Sequence, residues 1–398
     1  MSNQAQDIFL KHLGQTTPFP FLLEIERAEG MYLIDKAGRK YMDFISGVAV
    51  SNLGHQHPAI IKAIKAQLDK HLHIMVYGEF IQSSSNQLAA KLASLLPEEL
   101  NTVYFTNSGT EAIEGALKLA KRYTGRSELV AFRGAYHGST HGSLSVSGNE
   151  TKKNAFRPLL PDVKFLDYNV PSALNEITKH TACVIIETIQ GDAGVRIPDR
   201  FYLEALRKKC TEVGALLIFD EIQTGMGRTG KLFAFEHYNV VPDILCAAKA
   251  LGGGLPLGAF ISSQSIMKHL TFDPMLGHIT TFGGNPLSCA AGLAALEAVT
   301  DPELLSQVET KGILIEKLIR HSSIKEIRRK GLMFAIEFAT EKEVYEIVEY
   351  CLAHGLICFW FLSCPNSFRI APPLTITTEE IHRACTIIND AIAATQSK

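Results

Sequence analysis

The pattern that most constrains the fold is an alternation, between about residues 58 and 295, of short apolar runs with longer segments of helical period. The apolar runs lie at 103–105, 129–132, 183–186, 216–219 and 244–246. Continuous apolar strands separated by helices are typical of a mostly parallel sheet that is covered on both faces. We therefore predict an α/β fold whose large domain has a mostly parallel sheet flanked by helices.

The two ends of the chain follow other patterns. Residues 31–35 and 41–44 flank a turn at Gly38 and predict a hairpin. After residue 297, helical segments at 303–321 and 341–354 bracket an apolar run at 332–338, which indicates a smaller α+β unit. Because 398 residues exceed one simple core, we predict three parts: an N-terminal segment (1–57) that packs with the small domain, a large domain (58–296) and a small C-terminal domain (297–398).

Composition excludes several classes of partner. Charged residues make up 20% of the chain, the net charge is −2, and no basic tract suggests a nucleic-acid or membrane-surface partner. The longest apolar runs are too short to span a membrane, and the N-terminus shows no export signal, so we expect a cytoplasmic protein. The eight cysteines are scattered without a C-x-x-C pair, which favours buried reduced thiols. We expect no metal site.

The first motif with chemical content is the turn Ser108-Gly109-Thr110, which follows a strand and opens a helical segment. Free backbone N–H groups at a helix N-terminus bind anions, and the hydroxyls of Ser108 and Thr110 could add donors. A plain helix cap without a ligand would leave the same pattern.

The second motif is Asp220, which ends the apolar run 216–219. Open α/β sheets bind ligands at the carboxyl ends of their strands, so this carboxylate could pair with a cofactor cation. The alternative is an aspartate that caps the following loop. The Gly-rich loop at 224–230 lacks the Lys-Ser/Thr ending of a nucleotide P-loop and is not by itself a phosphate motif.

The third motif is Lys249, which follows the strand at 244–246 and precedes three glycines at 252–254. Desolvation in a sheltered position lowers the pKa of a lysine and makes it a competent Schiff-base amine. Taken alone, Lys249 fits better a strand-end lysine whose ammonium group reaches solvent.

Together and in this order, the three motifs resemble those of the pyridoxal 5′-phosphate (PLP) aminotransferases of fold type I. The resemblance is closer to class III, the group that contains acetylornithine, ornithine and 4-aminobutyrate aminotransferases. The stretches that carry it cover nearly the whole chain: GVAVSNLGHQHP (47–58), NSGTEAIEGALKLAKRYTGR (107–126), AYHGSTHGS (135–143), ETIQGDAGV (187–195), LLIFDEIQTGMGRTGKLFAFEHYNVVPDILCAAKALGGGLPLGA (216–259), HITTFGGNPLSCAA (278–291) and RIAPPLTIT (369–377).

The resemblance implies a role for each cofactor-binding residue. Lys249 is similar to the Schiff-base lysine that also moves the substrate proton, and Asp220 to the carboxylate that keeps the pyridine nitrogen protonated. It implies that Gln223 binds the phenolic oxygen and that Tyr136 stacks on the ring. Thr281 resembles a threonine that reaches the phosphate across a dimer interface, which implies a homodimer with shared sites. The remaining residues of the implied cofactor site are Ser108, Gly109, Thr110, His137 and Glu187, and His137 could instead be a purely structural histidine.

The substrate side of the resemblance contains departures. Arg369 matches an arginine that binds an α-carboxylate as a bidentate fork. Asp192 replaces the family glutamate that covers this arginine. Because its side chain is one methylene shorter, we expect the Asp192–Arg369 ion pair to be longer and weaker than in the family. Ser139 stands where the acetylornithine and ornithine branches carry an arginine for a distal carboxylate. Thr280 is a further candidate substrate contact, and Val48 replaces an aromatic residue of ornithine aminotransferases, as in the acetylornithine branch.

The resemblance therefore implies an aminotransferase that moves the terminal amine of a basic or ω-amino acid to a 2-oxo acid such as 2-oxoglutarate. An intramolecular aminomutase would use the same scaffold and the same lysine. A non-catalytic PLP-binding protein is a third class, against which the joint presence of Asp220, Gln223 and Lys249 argues.

Overall fold

The N-terminal part of the chain forms a small antiparallel sheet followed by helices. A computed structural model describes residues 4–76 and 78–396. The elements up to residue 95 are α1 (Gln4–His12), β1 (Ile25–Glu29), β2 (Tyr32–Asp35), β3 (Lys40–Asp43), α2 (Ser46–Ala49), α3 (Pro58–Leu68) and α4 (Ser83–Leu95). The hairpin predicted around Gly38 is confirmed, since β2 pairs antiparallel with β3.

The middle of the chain builds the large sheet. Its elements are β4 (Thr102–Thr106), α5 (Gly109–Thr124), β5 (Glu128–Phe132), α6 (His141–Val146), α7 (Glu150–Lys153), β6 (Val163–Leu166), β7 (Thr181–Glu187), α8 (Arg200–Val213), β8 (Leu216–Asp220), β9 (Ile244–Ala247), β10 (Gly258–Ser262), α9 (Gln264–Met267) and α10 (Pro286–Val299). Within the described residues the strand order is β4-β10-β9-β8-β7-β5-β6.

The mostly parallel character predicted for this sheet is confirmed. Strands β6, β5, β7, β8 and β9 pair in parallel, whereas β10 runs antiparallel to both β9 and β4. Every residue of β7, β8, β9 and β10 is buried because helices cover both faces. Helices α5 and α8 each end at a left-handed glycine, Gly125 and Gly214, which stops the helix and returns the chain to the sheet.

The C-terminal part adds a second sheet. Its elements are α11 (Pro302–Leu318), β11 (Glu326–Lys330), β12 (Met333–Glu337), α12 (Glu341–Ala353), β13 (Leu356–Ile357), β14 (Phe359–Trp360), β15 (Ser367–Ile370) and α13 (Thr378–Gln396). This antiparallel sheet has the order β11-β12-β15-β14, while β13 pairs in parallel with β3 of the N-terminal sheet. Met42 and Phe44 lie in one core with Phe334 and Phe368, so both ends of the chain share hydrophobic packing.

Short 3₁₀ helices complete the regular structure, at Asn154–Phe156, Pro171–Glu176, Ala234–His237, Lys249–Gly252 and Lys268–Leu270. Over residues 4–76 and 78–396, no helix combines the length and the apolar character needed to cross a membrane. The carboxyl ends of β4, β7, β8 and β9 meet at one edge of the large sheet, and the candidate site lies there.

Candidate active site

A cavity of about 480 Å³ opens at this edge of the large sheet. The predicted site residues that line it are Ser108, Gly109, Thr110, Tyr136, His137, Ser139, Glu187, Asp220, Gln223 and Lys249. They come from the carboxyl ends of five strands, β4, β5, β7, β8 and β9, or from the loops that follow them, and are brought together because parallel strands end at a common edge.

Lys249 follows β9 and begins a 3₁₀ turn with a left-handed backbone, at φ 50°. Left-handed geometry is costly for a residue with a Cβ atom and is concentrated at functional sites. Burial lowers the pKa of the Lys249 ammonium to about 8, an effect that Asp220 opposes and Arg369 reinforces. A larger fraction of this amine than of an ordinary lysine is therefore neutral and nucleophilic near neutral pH.

Asp220 ends β8 and is almost fully buried. Its Oδ2 accepts a hydrogen bond from Nδ1 of His137 at 2.7 Å, and its Oδ1 accepts one from the backbone N–H of Ile222 at 3.0 Å. The predicted alternative, that Asp220 caps the following loop, is therefore also present, because Oδ1 caps the turn at Ile222. His137 is itself buried and fixes the orientation of the other oxygen.

A second buried carboxylate, Glu187, ends β7. It accepts hydrogen bonds from the backbone N–H groups of Tyr136 at 3.3 Å and Gly191 at 3.1 Å. Burial, and then the neighbouring charge of Asp220, raise the pKa of the Glu187 carboxyl well above its ordinary value. Glu187 therefore holds the Tyr136 loop against the Gly191 loop.

The turn before α5 has the form of an anion site. The hydroxyl oxygen of Ser108 caps the helix by accepting from the Glu111 N–H at 3.4 Å, so the cap predicted as an alternative is present. The first-turn N–H groups of Gly109 and Thr110 have no acceptor within the helix. The hydroxyl of Thr110 contacts those of Thr140 and Ser143 at 2.8 and 2.6 Å. A Cβ on Gly109 would lie 2.8 Å from the end of the Ile222 side chain, which would have to shift to accommodate it.

At the mouth of the cavity the side chain of Tyr136 is 43% exposed, and its hydroxyl lies 3.3 Å from the hydroxyl of Ser139. Gln223 lies against Gly191, where a side chain on the glycine would collide with the Gln223 amide. These three side chains therefore present neutral hydrogen-bonding groups to the cavity.

Arg369 and Asp192 form a buried ion pair, with exposed fractions of 6% and 4%. The Arg369 Nη2 donates to Asp192 Oδ1 at 2.7 Å, so the expectation of a long pair is wrong. The guanidinium also lies 4.4 Å from the ring centre of Phe361.

The predicted residues Thr280 and Thr281 do not line the cavity of their own chain. The Thr280 hydroxyl accepts a hydrogen bond from the Asn107 amide at 2.9 Å, and Thr281 is exposed to solvent.

The sequence did not single out two buried residues that hold this edge together. Glu221 accepts four hydrogen bonds, from the hydroxyls of Thr188 and Thr224 and from the N–H groups of Ala234 and Phe235. Arg228 is completely buried and donates to carbonyl groups of the C-terminal part of the chain. Glu221 follows the apolar run at 216–219, which could have marked it as buried, whereas Arg228 stands in the Gly-rich loop at 224–230, where the local sequence carries no such signal.

The polar groups of the cavity fit PLP. An amine of lowered pKa suits an aldehyde, a buried carboxylate suits a pyridinium, and a free helix N-terminus suits a phosphate. Among the described residues, the buried Nε2 of His137 and Nε of Arg369 have no hydrogen-bond partner.

Comparison with known proteins agrees with this geometry. Residues 15–392 match the sequence model of the family described as Aminotransferase class-III. The chain belongs to the class-III aminotransferases. As a member, it is a PLP-dependent transaminase of fold type I.

Three relatives illustrate the membership. This class-III aminotransferase is 39% identical over 388 residues to an acetylornithine aminotransferase of Methanopyrus kandleri, covering 96% of this chain and 97% of the relative. A solved ornithine aminotransferase of Toxoplasma gondii, with partial occupancy of PLP at its active site, is similar with a TM-score of 0.92 and 29% identity, covering 99% and 94% of the two chains. An adenosylmethionine-8-amino-7-oxononanoate aminotransferase of Methanocaldococcus jannaschii has a TM-score of 0.90 and 32% identity, with 98% of each chain covered. None of the three is named as a mutase.

Proposed function

We propose that this aminotransferase takes the terminal amine of a basic or ω-amino acid and passes it to a 2-oxo acid such as 2-oxoglutarate, as the acetylornithine- and ornithine-specific members do. The observation that carries the proposal is the buried Asp192–Arg369 pair at 2.7 Å. An arginine whose charge is covered does not draw the α-carboxylate of a donor toward the reacting end of the cavity. The donor then enters with its terminal amine first.

The cofactor-binding roles follow the geometry. Bound PLP supplies an aldehyde that condenses with amines and a ring that withdraws electrons from the attached carbon. Lys249 would hold the cofactor through its amine and, when that amine is free, would move the proton at the reacting substrate carbon. Asp220, kept in place by His137, stabilises a positive charge on the ring nitrogen.

The other cavity residues position the cofactor. The N–H groups of Gly109 and Thr110, with the Ser108 hydroxyl, bind the phosphate at the start of α5. Gln223 binds the phenolic oxygen and Tyr136 covers the ring, while Glu187 orients the Tyr136 loop.

The second half-reaction needs Arg369 uncovered. A 2-oxo acid carries its carboxylate next to the reacting carbon, so it requires a cation at that place. The guanidinium fork of Arg369 supplies one when Asp192 moves aside. The pair is thus a switch between two substrates that share a single cavity.

A scan of amino donors tests this proposal. The purified PLP-bound protein is mixed with ornithine, N-acetylornithine, 4-aminobutyrate or alanine, and the absorbance change from the aldehyde to the amine form of the cofactor is followed. We expect single-turnover rates for at least one terminal-amine donor to exceed that for alanine by tenfold or more. Faster conversion by alanine than by every terminal amine would contradict the proposal. A donor that is isomerised without 2-oxoglutarate would indicate the mutase.

We also propose a homodimer with shared sites. The segments at 72–76, 78–81 and 272–282 lie around a groove of about 720 Å³ and carry exposed apolar side chains: Leu72, Phe80, Ile81, Phe272, Met275, Leu276, Ile279 and Phe282. An apolar surface of this kind on one chain favours a protein partner, and a second copy would bring Thr281 to the neighbouring phosphate.

Sedimentation of two variants tests the dimer. Ile81→Lys places a charge on a side chain that is 93% exposed, and we expect it to weaken dimerisation. Ile313→Lys, an equally drastic change on the exposed side of α11, is the matched control. A wild-type protein that sediments as a monomer would refute the shared site.

Two further expectations remain proposals. The boundaries 1–57, 58–296 and 297–398 are supported by the pairing of β13 with β3 and by the core that the two ends of the chain share. A cytoplasmic location is supported by cysteines that are free throughout the described residues, because reducing compartments keep thiols reduced.

A further inference from the structure

The loop that joins β14 to β15 contacts both residues of the Asp192–Arg369 ion pair. Phe361 places its ring against the Arg369 guanidinium. The next two residues, Leu362 and Ser363, both donate hydrogen bonds to the Asp192 carboxylate. One short loop therefore contacts the anion and the cation of the switch.

The carboxylate of Asp192 has three donors. Its Oδ1 accepts from Arg369 Nη2 at 2.7 Å and from the Leu362 N–H at 3.2 Å. Its Oδ2 accepts from the Ser363 hydroxyl at 2.8 Å. The two bonds from the loop remain even if Arg369 turns away, so they oppose any outward rotation of the carboxylate.

Ser363 is itself held from the large-sheet side. The Asn149 Nδ2 donates to the Ser363 Oγ at 2.9 Å, which directs the hydroxyl hydrogen of Ser363 toward Asp192. Asn149 is fixed in turn, since its Oδ1 accepts from the Thr151 N–H at 3.1 Å as the cap of α7. The chain Asn149, Ser363, Asp192, Arg369 is continuous.

We propose that Ser363 is a specificity-determining residue: its hydroxyl holds Asp192 over Arg369 and so sets how readily the site accepts an α-carboxylate. The proposal rests on the substrate switch proposed above and adds to it the element that fixes the closed position.

The expected direction follows from populations. A ligand that binds only the uncovered arginine has an apparent dissociation constant equal to the intrinsic constant divided by the fraction of molecules that are open. Removing one hydrogen bond that stabilises only the closed form raises that fraction. Since the net contribution of one such bond is modest, we expect a change of roughly threefold to tenfold.

Glutarate, a dicarboxylate without a reactive oxo group, is a suitable ligand for calorimetric titration of the PLP-bound protein. We expect S363A to bind glutarate roughly threefold to tenfold more tightly than the wild type. S363T keeps the hydroxyl and should restore the wild-type constant. N149A removes only the brace on Ser363 and should tighten binding in the same direction by a smaller factor.

A double-mutant cycle shows whether the effect passes through Asp192. In a D192A background, S363A should leave the glutarate constant unchanged, because the carboxylate that it holds is gone. Unchanged binding in both S363A and N149A, or equal tightening by S363A with and without Asp192, would overturn the proposal. The titration does not depend on turnover, so a failure of the donor scan would refute the proposed donor class and leave this result to be judged separately.

Discussion

At the scale of single residues, the decisive feature is a half-buried lysine amine in the same cavity as a buried carboxylate, Asp220. Burial lowers the pKa of Lys249 to about 8 despite the opposing effect of Asp220. Desolvation therefore outweighs the opposing effect of Asp220, and more of the amine is neutral and nucleophilic than in an ordinary lysine.

The lowered pKa of Lys249 predicts how protein stripped of cofactor responds to pH. The ammonium form of Lys249 is disfavoured in the folded state and so lowers the free energy of unfolding. This destabilisation is complete below pH 8 and disappears as pH rises from 8 toward 10.5. We expect Lys249→Met to raise the free energy of unfolding at pH 7 by on the order of 1–3 kcal/mol. Urea unfolding at pH 7 and pH 10 measures the difference, with the exposed Lys62→Met as control. If the stabilisation by Lys249→Met is as large at pH 10 as at pH 7, the lowered pKa of Lys249 is contradicted.

Asp220→Ala should separate a charge partner from a loop cap. We expect kcat to fall by two or more orders of magnitude, about 3 kcal/mol of barrier, while PLP is partly retained through the start of α5. Stopped-flow rates and cofactor content are the measurements. Asp301→Ala is the matched control, because Asp301 also caps with its carboxylate, accepting from the Glu303 N–H at 2.8 Å on α11. Near-normal turnover in the Asp220 variant would show that it only caps the turn.

Residue patterns predicted the turn at 108–110, Asp220 and Lys249, and the family resemblance implied the other predicted cavity residues, but neither predicted how they are joined. Asp220 ends one apolar run and Lys249 closely follows another, and this position was sufficient to predict that both lie at the carboxyl edge of the sheet. Their roles in catalysis stay predictions. The contact of His137 with Asp220 spans 83 positions and that of Asp192 with Arg369 spans 177. Such distances depend on loop conformation, which local sequence does not encode.

At the scale of elements, the least expected is α2, a turn with left-handed backbone from Ser46 to Ala49. Ser46, Val48 and Ala49 have φ values of 51°, 63° and 62°, each costly for a residue with a Cβ. The turn is held by Asp43, which accepts from the Ser46 N–H at 2.8 Å, and by the Ser46 hydroxyl, which donates to the Ala371 carbonyl at 2.8 Å. Val50, directly after it, lines the cavity.

Gly47 offers a clean test of this turn. A Cβ added to Gly47 would contact only the Cβ of Val50, at an ordinary van der Waals distance of 3.7 Å. Since φ is 59°, the cost of Gly47→Ala therefore comes from the left-handed backbone and not from a clash. We expect the free energy of unfolding to fall by about 1–2 kcal/mol. Gly14→Ala, where nothing lies within 4 Å and φ is not left-handed, should cause no loss. Equal effects of the two substitutions in urea unfolding would argue against strain in the turn.

Strand prediction succeeded where an apolar run is continuous over four or more residues and failed where a strand has only two residues. The buried runs that became β7, β8 and β9 were evident because each is continuous and apolar. The two-residue strands β13 and β14 carry no period, and the antiparallel direction of β10 is set by its neighbours rather than by its own residues.

At the scale of the whole molecule, Arg228 ties the large-sheet loop to both ends of the chain. It donates to Asn52 in the N-terminal part and to the carbonyls of Leu332 and Pro372 in the C-terminal part. Burial lowers the pKa of the Arg228 guanidinium to about 9, and only the more distant Asp43 opposes this. Pro372 lies three residues beyond Arg369, so the bridge also fixes the strand that carries the substrate arginine.

We expect Arg228→Ala to lower the free energy of unfolding by roughly 3 kcal/mol or more, because it leaves three buried acceptors without a donor and opens a cavity. Arg320→Ala, at an exposed position, should change it by about 0.5 kcal/mol or less. Urea unfolding of the two variants provides the comparison. A loss no larger than that of the control would remove Arg228 from the account of how the parts are joined.

The central claim is that Lys249 carries the cofactor, and chemical trapping tests it most directly. The PLP-loaded protein is reduced with borohydride, digested and mapped by mass spectrometry. We predict a single phosphopyridoxyl label, on the peptide that contains Lys249, and loss of both the label and the visible absorbance in Lys249→Met. A label on any other lysine, or no trapped cofactor in protein supplied with PLP, would contradict the account.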